Sequence, residues 1–267
     1  CNLALFMILY LYYMQQNPQM SLSCGRYGRR KNVVVLFDMD GTLLPMDQEK
    51  FMKVYFSALA AHFAPLGYEP KALLEGVWQG TLAMVNNDGR RTNEEVFWDT
   101  FSGIFGERVF ADRGEFEKFY AVRFDAFREA CGYNPAAGET VRKLRKAGHT
   151  VVLATNPVFP MTAQRKRLHW AGTEESDFAL ITSYENSRAC KPNVRYYEEI
   201  LQKIGASASD CIMVGNDVTE DMAAAKLNMK VFLLTDCLIN RENRDISVYP
   251  RGGFGELNEF LAGEMKL

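Results

Sequence analysis

Residues 33–44 read Val-Val-Val-Leu-Phe-Asp-Met-Asp-Gly-Thr-Leu-Leu. Val33 to Phe37 form a continuous β-branched and aromatic run, the signature of a strand buried on both faces. The run stops at two carboxylates, Asp38 and Asp40, set two residues apart, and Gly41 permits a sharp turn straight after them. Acidic residues after a strand often do no more than cap a helix. What this pair means is therefore decided by the rest of the chain.

Working outward, four further apolar runs share the character of the first: residues 150–154, 178–181, 211–214 and 230–234. Stretches with helical spacing lie between them, at residues 137–147, 160–170, 194–204 and 221–227. Strand and helix in alternation predict an α/β fold with a Rossmann-like parallel sheet and helices on both faces. In such sheets ligands bind beyond the carboxyl ends of the strands, so the polar residues that follow these runs should converge. Residues 45–133 break the rhythm. Four helix-like stretches (51–63, 71–85, 93–105 and 113–129) carry apolar residues at three- and four-residue intervals, among them Phe116, Phe119, Tyr120, Phe124 and Phe127. The expected layout is a core of residues 32–44 and 134–267 with a helical cap of residues 45–133 inserted between its first two strands. The Gly252-Gly253-Phe254-Gly255 stretch reads as a loop before a last helix at 256–261.

Composition bounds the remaining possibilities. With 267 residues, 48% of them hydrophobic and a net charge of −2, the chain can build a sizeable core and carries no polybasic footprint for nucleic acid. Its six cysteines form no CxxC pair, which disfavours a zinc ribbon or a dithiol redox site and suits a reducing, cytoplasmic location. Residues 3–14 are almost wholly apolar but shorter than a membrane span, without a basic flank or a cleavage site. The expectation is that residues 1–31 are an apolar segment and linker outside the folded domain, with Met20 a plausible start and no membrane association unless the apolar run is a real anchor. Neither a GxSxG nor a Walker-type loop occurs.

Three strand ends and one loop supply the chemistry. Asp38 and Asp40 follow the first strand, Thr155 and Asn156 the second, Asn216 and Asp217 the fourth, with Asp221 one helical turn on; Lys191 stands in Ala-Cys-Lys-Pro-Asn before a helix. Phosphoryl transfer needs a carboxylate nucleophile, a second acid to protonate the leaving oxygen, oxygen ligands for a divalent cation, and donors for the phosphate oxygens. Asp38, Asp40, Asp217, Thr155 and Lys191 provide those parts.

With these residues in view, the chain resembles a haloacid-dehalogenase-like (HAD) hydrolase from about Val33 to its C-terminus. The family's four motifs have counterparts in VVVLFDMDGTLL, VVLATN, CKPN and IMVGNDVTED, in the family's order. The resemblance implies Asp38 as nucleophile and Mg²⁺ ligand. It implies Asp40 as general acid/base, giving its main-chain carbonyl to the metal. Thr155 and the backbone at Asn156 would bind phosphate, Lys191 would neutralise nucleophile and phosphate, and Asp221 would orient a metal water or Lys191. The fourth motif departs from the more usual Gly-Asp: Gly215 is followed by Asn216 and then Asp217. Either Asp217 takes the metal directly, which its charge favours, or Asn216 does with Asp217 behind it. Dehalogenases, phosphonatases and P-type ATPases of this family lack an acid two residues after the nucleophile. Asp40 thus favours a Mg²⁺-dependent phosphatase acting on a small phosphorylated metabolite through an aspartyl-phosphate. A phosphomutase with the same phosphoenzyme is the nearest alternative, and a non-catalytic binding protein on the same scaffold a more distant one.

Outside the motifs, His62, His149 and His169 read as packing or surface residues, and Trp78, Phe97, Trp98 and Phe101 as core. The polar run 86–93, with Asn87 and Arg90, is expected to face the site and read the substrate. Cys190 and Cys211 are candidates for oxidation sensitivity.

Overall fold

The buried run that opens the sequence is strand β1 (Val34–Phe37) of a six-stranded sheet, in a computed structural model that describes residues 32–265. The others are β2 (Thr150–Leu153), β3 (Leu180–Ile181), β4 (Cys211–Gly215), β5 (Lys230–Leu234) and β6 (Arg251–Gly252). All pair in parallel, in the order β3-β2-β1-β4-β5-β6, which is the expected Rossmann-like α/β core. The sixth strand lies where a loop was expected. It is two residues long and flanked by Pro250 and Gly253, so no apolar run marks it.

The pleat sorts the apolar runs into two cores. Val35, Phe37, Val151, Leu153, Ile212, Val214, Phe232 and Leu234 face one side; Val34, Leu36, Val152, Cys211, Met213, Val231 and Leu233 face the other. This two-sided burial is why the strands read as unbroken apolar runs.

Between β1 and β2 the chain forms α1 (Gln48–Phe63), α2 (Pro70–Val85), α3 (Asn93–Phe105) and α4 (Arg108–Val122), then a 3₁₀ stretch, Phe124–Ala130. Local signals set the helix starts. The Asp47 and Glu69 carboxylates accept backbone N–H groups in the first turns of α1 and α2, and Thr92 with Glu95 closes a capping box on α3. The single helix expected over 113–129 instead breaks near Arg123 and continues as the 3₁₀ stretch, with Phe124 and Phe127 still buried. Ring on ring fills the interior: Phe63 stacks on Phe116 at 4.0 Å, and Phe124 stacks on Trp170 at 5.4 Å. Truncating a fully buried ring such as Phe119 to Ala costs about 3–5 kcal/mol.

The two linkers run side by side. Met46 and Cys131 form an antiparallel bridge, and the Gly132 N–H donates to Pro45 O at 2.7 Å.

The remaining helices flank the sheet: α5 (Pro135–Lys146), α6 (Met161–Trp170) and α8 (Phe254–Met265) on the first face, and α7 (Val194–Ile204) on the second. The helix expected over 221–227 is a 3₁₀ turn, Met222–Leu227, closed by Asn228 at φ 61°. Among the described residues no helix is long and apolar enough to cross a membrane. The expectations for residues 3–14, Met20 and the linker to residue 31 fall outside the described residues.

Candidate active site

Strands β2, β1 and β4 are neighbours, and β1 is where the strand order reverses direction. Their carboxyl ends therefore open on one crevice, and the residues following them meet there.

The turn after β1 is held from below by β4. The Asp38 N–H donates to Val214 O at 2.9 Å. Gly41 has φ +86°, and a Cβ there would lie 2.3 Å from Asn216 Nδ2. Asn216 Oδ1 accepts from Thr42 Oγ1 at 2.9 Å, while its Nδ2 donates to Cys237 O at 2.7 Å. Both ends of this amide are thus engaged in fixing the turn that carries Asp38 and Asp40.

Lys191 reaches the same crevice from the loop between β3 and α7. Its ammonium donates to Asp38 Oδ1 at 2.8 Å and to Asp221 Oδ1 at 2.6 Å, and all three side chains are buried. Burial alone would lower the pKa of this ammonium, but the charges of Asp221 and Asp38 outweigh it and hold it well above the usual lysine range. Asp221 Oδ2 also accepts the Asp217 N–H at 2.9 Å, so one carboxylate ties Lys191 to the β4 loop. A Cβ on Gly215 would fall 2.1 Å from Asp221 Oδ2, which leaves glycine as the side chain that fits.

Asp40 has a partner that no motif announces. Its Oδ2 accepts from the Arg167 guanidinium, which also bonds Gln164 and lies 4.7 Å over the Phe159 ring. Arg167 is fully buried, and Asp40 Oδ1 is buried without a partner. Burial pushes the Asp40 carboxyl above its ordinary value against the pull of Arg167, with the Asp38 charge adding to the rise. A carboxyl raised in this way is suited to carry a proton. In the sequence Arg167 sits within Arg165-Lys166-Arg167, which reads as a solvated face. Its pairing with Gln164 at a three-residue spacing beside Leu168 is the only local hint of a polar pair on the inner side.

Thr155 is buried, and its carbonyl accepts from Tyr196 OH at 2.8 Å and Thr182 Oγ1 at 2.7 Å. Asn156 uses its side chain elsewhere: Oδ1 accepts the Lys191 N–H at 3.2 Å, and Nδ2 donates to Glu220 Oε2 at 3.1 Å. Asp217 Oδ1 accepts the N–H groups of Thr219 and Glu220, while Oδ2 faces the largely exposed Arg241 at 3.2 Å. Glu220 and Arg241 were not among the residues expected from the sequence.

These groups fit a divalent cation. Among the described residues no three His, Cys, Asp or Glu side chains form a ready cage. The donors available are nonetheless hard oxygens, and Asp38, Asp40, Asp217, Glu220 and Asp221 outnumber Lys191, Arg167 and Arg241. Burial, helped by the neighbouring carboxylates, pushes Glu220 up to about 6 and Asp221 up to about 7 even with Lys191 beside them.

In the polar run 86–93, the two residues expected to read the substrate are engaged near their own loop. Asn87 is buried but committed to its own loop: Nδ2 donates to Arg91 O at 3.0 Å and Asn93 Oδ1 at 2.8 Å, and Oδ1 accepts the Gly89 N–H. Arg90 is 87% exposed and paired with Asp88. Asn93, the last residue of the run, docks this loop on the core by donating to Pro157 O and Cys190 Sγ. The substrate-reading role expected for Asn87 and Arg90 has no geometric support, because short-range turn bonds take up the side chains. His62 lies near Glu115 and His169 near Glu174, while His149 Nδ1 accepts the Val33 N–H at 3.3 Å, just before β1. Phe97, Trp98 and Phe101 are core as expected, but Trp78 is 49% exposed. Burial pushes the Cys190 thiol up to about 12 and the Cys211 thiol up to about 11, which keeps both in the unreactive thiol form and removes the ground for oxidation sensitivity.

Known proteins share this fold. A 2-haloacid dehalogenase from Pseudomonas syringae pv. Tomato DC3000 superposes with a TM-score of 0.57 at 20% identity, covering 87% of this chain and 99% of that one. A HAD phosphatase from Thermococcus onnurineus gives 0.53 at 19% identity, over 86% and 98%. These likenesses establish the fold. The sesquiterpene phosphatase astK of Aspergillus oryzae is 30% identical over 115 residues, 42% of this chain, and the match spans only 57% of that relative. The family model for haloacid dehalogenase-like hydrolases matches residues 33–227, from the opening strand to the turn beyond Asp221. On that match, the chain belongs to the haloacid dehalogenase-like hydrolase family.

Proposed function

We propose that the chain is a magnesium-dependent phosphatase that hydrolyses a small phosphorylated metabolite through an aspartyl-phosphate. The observation that carries this reading is the buried Asp38–Lys191–Asp221 array beside a second acid, Asp40, whose carboxyl is raised by burial. The phosphatase named among its relatives supports the same chemistry.

In this reading Lys191 holds Asp38 Oδ1 and leaves Oδ2 to attack phosphorus. The phosphorus–oxygen bond to the leaving alcohol breaks as Asp40 gives its proton to that oxygen. Asp40, now a carboxylate, takes a proton from the attacking water, and Asp38 is released with inorganic phosphate. Arg167 fixes the rotamer of Asp40 and steadies its charge between the two steps. Thr155 and the Asn156 backbone N–H hold phosphate oxygens. The carboxylates of Asp38 and Asp217 and the main-chain carbonyl of Asp40 would hold Mg²⁺, while Asn216, both ends engaged, supports the turn and Asp221 positions Lys191. When bound, the cation screens the repulsion between Asp38 and the phosphate. Residues 45–133 would act as a cap that closes over the crevice about the paired linkers and excludes water.

The test is phosphate release from p-nitrophenyl phosphate and a panel of phosphorylated metabolites. We expect turnover with Mg²⁺, loss of it in EDTA, and loss in Asp38→Asn. Unchanged turnover in Asp38→Asn overturns the mechanism.

A further inference from the structure

A cavity of about 310 Å³ lies between the helical insertion and the core. Its walls come from α1 (Tyr55, Phe56, Leu59), α2 (Val77, Trp78), α3 (Phe97, Trp98) and α4 (Phe116, Tyr120), and on the core side from Val158–Pro160 and Tyr184. Aromatic and aliphatic side chains dominate this lining. Three carboxylates stand at its edge: Glu94 pairs with Arg113, Glu185 Oε1 accepts the Met161 N–H at 2.8 Å while its Oε2 has no partner, and Glu117 also contributes to the wall.

Two observations join this cavity to the chemistry and to the surface. On the inner side, Val158 follows Asn156 by two residues. Phe159 lines the cavity and carries the Arg167 guanidinium that pairs with Asp40. Wall and proton donor are thus one guanidinium apart. On the outer side, Trp78 both lines the cavity and is 49% exposed, and it heads an exposed apolar row on α2 with Leu82 and Val85. The lining runs from exposed Trp78 to Phe159, whose ring meets the Arg167 guanidinium; Asp38 and Asp40 are not themselves part of it.

We infer that the group esterified to phosphate is an apolar chain or fused hydrocarbon, seated in this cavity with its phosphate toward Asp38. This inference rests on the phosphatase reading and names its substrate class. A polar metabolite would strip water from its hydroxyls against a lining in which aromatic and aliphatic side chains outnumber the polar ones, Thr81, Thr162, Glu94, Glu117 and Glu185. The size follows by proportion: a cavity of about 150 Å³ holds one benzene ring, so about twice that volume takes about a dozen carbon atoms.

The experiment compares n-alkyl phosphates from butyl to hexadecyl, below their micellar concentrations, with glycerol phosphate and aminoethyl phosphate, and with p-nitrophenyl phosphate to report the chemistry. Burying one methylene is worth about fourfold in an equilibrium or specificity constant. We expect kcat/KM to rise by up to that factor per carbon and to level near dodecyl. Leu59→Trp, which fills the cavity, should move the plateau to a chain shorter by several carbons. The same series is titrated into Asp38→Asn by tryptophan fluorescence. Turnover of p-nitrophenyl phosphate without chain-length dependence overturns the substrate class and leaves the phosphatase reading standing, as does preference for glycerol phosphate or aminoethyl phosphate. Chain-length-dependent binding to Asp38→Asn, with no turnover of any compound by the unmodified protein, overturns the phosphatase reading and retains an apolar-ligand cavity. Absence of both overturns the inference outright.

Discussion

Substituting Gly41 by alanine tests whether the turn after β1 is organised as described. The residue has φ +86°, where an L side chain costs about 1–2 kcal/mol. The new Cβ would also stand 2.3 Å from Asn216 Nδ2, closer than any real contact, so the amide must move. Moving it puts at risk the bonds to Thr42 and Cys237, at 2.9 and 2.7 Å, and a buried polar group left unpaired costs about 1–3 kcal/mol. Together with the backbone strain this comes to about 4 kcal/mol, or a fall in Tm of about 8–16 °C for a domain near this size. Asn216→Ala alone should cost about 2–3 kcal/mol through the same lost bonds. The double variant should cost little more than Gly41→Ala, because the alanine at 216 removes the collision; the cycle should then show a coupling of about 2 kcal/mol. Urea denaturation of all four proteins supplies the numbers. Additive effects, or a Gly41→Ala cost below about 1 kcal/mol, would refute the account of the turn.

Lys191→Met should abolish phosphate release and cost about 3–5 kcal/mol, since it leaves Asp38 and Asp221 buried without their cation; adding Asp221→Asn should recover part of that loss in urea denaturation. Glu220 has a folded pKa of about 6 against an ordinary 4.5, so the folded state binds more protons between those values. Stability of the metal-free protein should therefore fall as pH rises through this window, by at most about 2 kcal/mol from this group, and Glu220→Gln should flatten that slope in thermal melts. Arg167→Met should lower kcat by about 10–100-fold through misplacement of Asp40 with little change in KM, and Arg167→Lys should restore part of it. A kcat in Arg167→Met equal to that of the unmodified protein would show that the guanidinium has no role beyond packing.

The sheet was legible because both its faces are buried, which writes β1, β2, β4 and β5 as unbroken apolar runs. The placement of the motif residues followed from topology, since parallel neighbouring strands must end on the same edge. Less was legible where the governing partner is far away in the chain. Arg167 acts on Asp40 across 127 positions and hides in a run of charges that resembles a solvent face. The run 86–93 looked like a reader of substrate because it is polar and sits between helices, but turn chemistry and docking against Pro157 and Cys190 account for it. Around Arg123 the apolar spacing continues without interruption while the backbone tightens, so periodicity alone could not show where α4 ends. Asp221 to Leu227 has good helix formers, yet the close approach of Asp221 to Gly215 and the left-handed Asn228 leave room for a 3₁₀ turn alone.

The bridge between Met46 and Cys131 has a consequence for how such a chain can change over time. The insertion leaves the sheet and returns to it at adjoining points, with the Asp47 N–H on Ala130 O at 3.1 Å. A segment whose ends already touch can lengthen, shrink or be exchanged at a small loop-closure cost, because the strands on either side need not shift. The exchange is constrained where rings cross the seam, as Phe124 does on Trp170. The scaffold thus behaves as a fixed tool head with an interchangeable handle, in which the sheet with its motif residues and the helical insertion can be inherited separately.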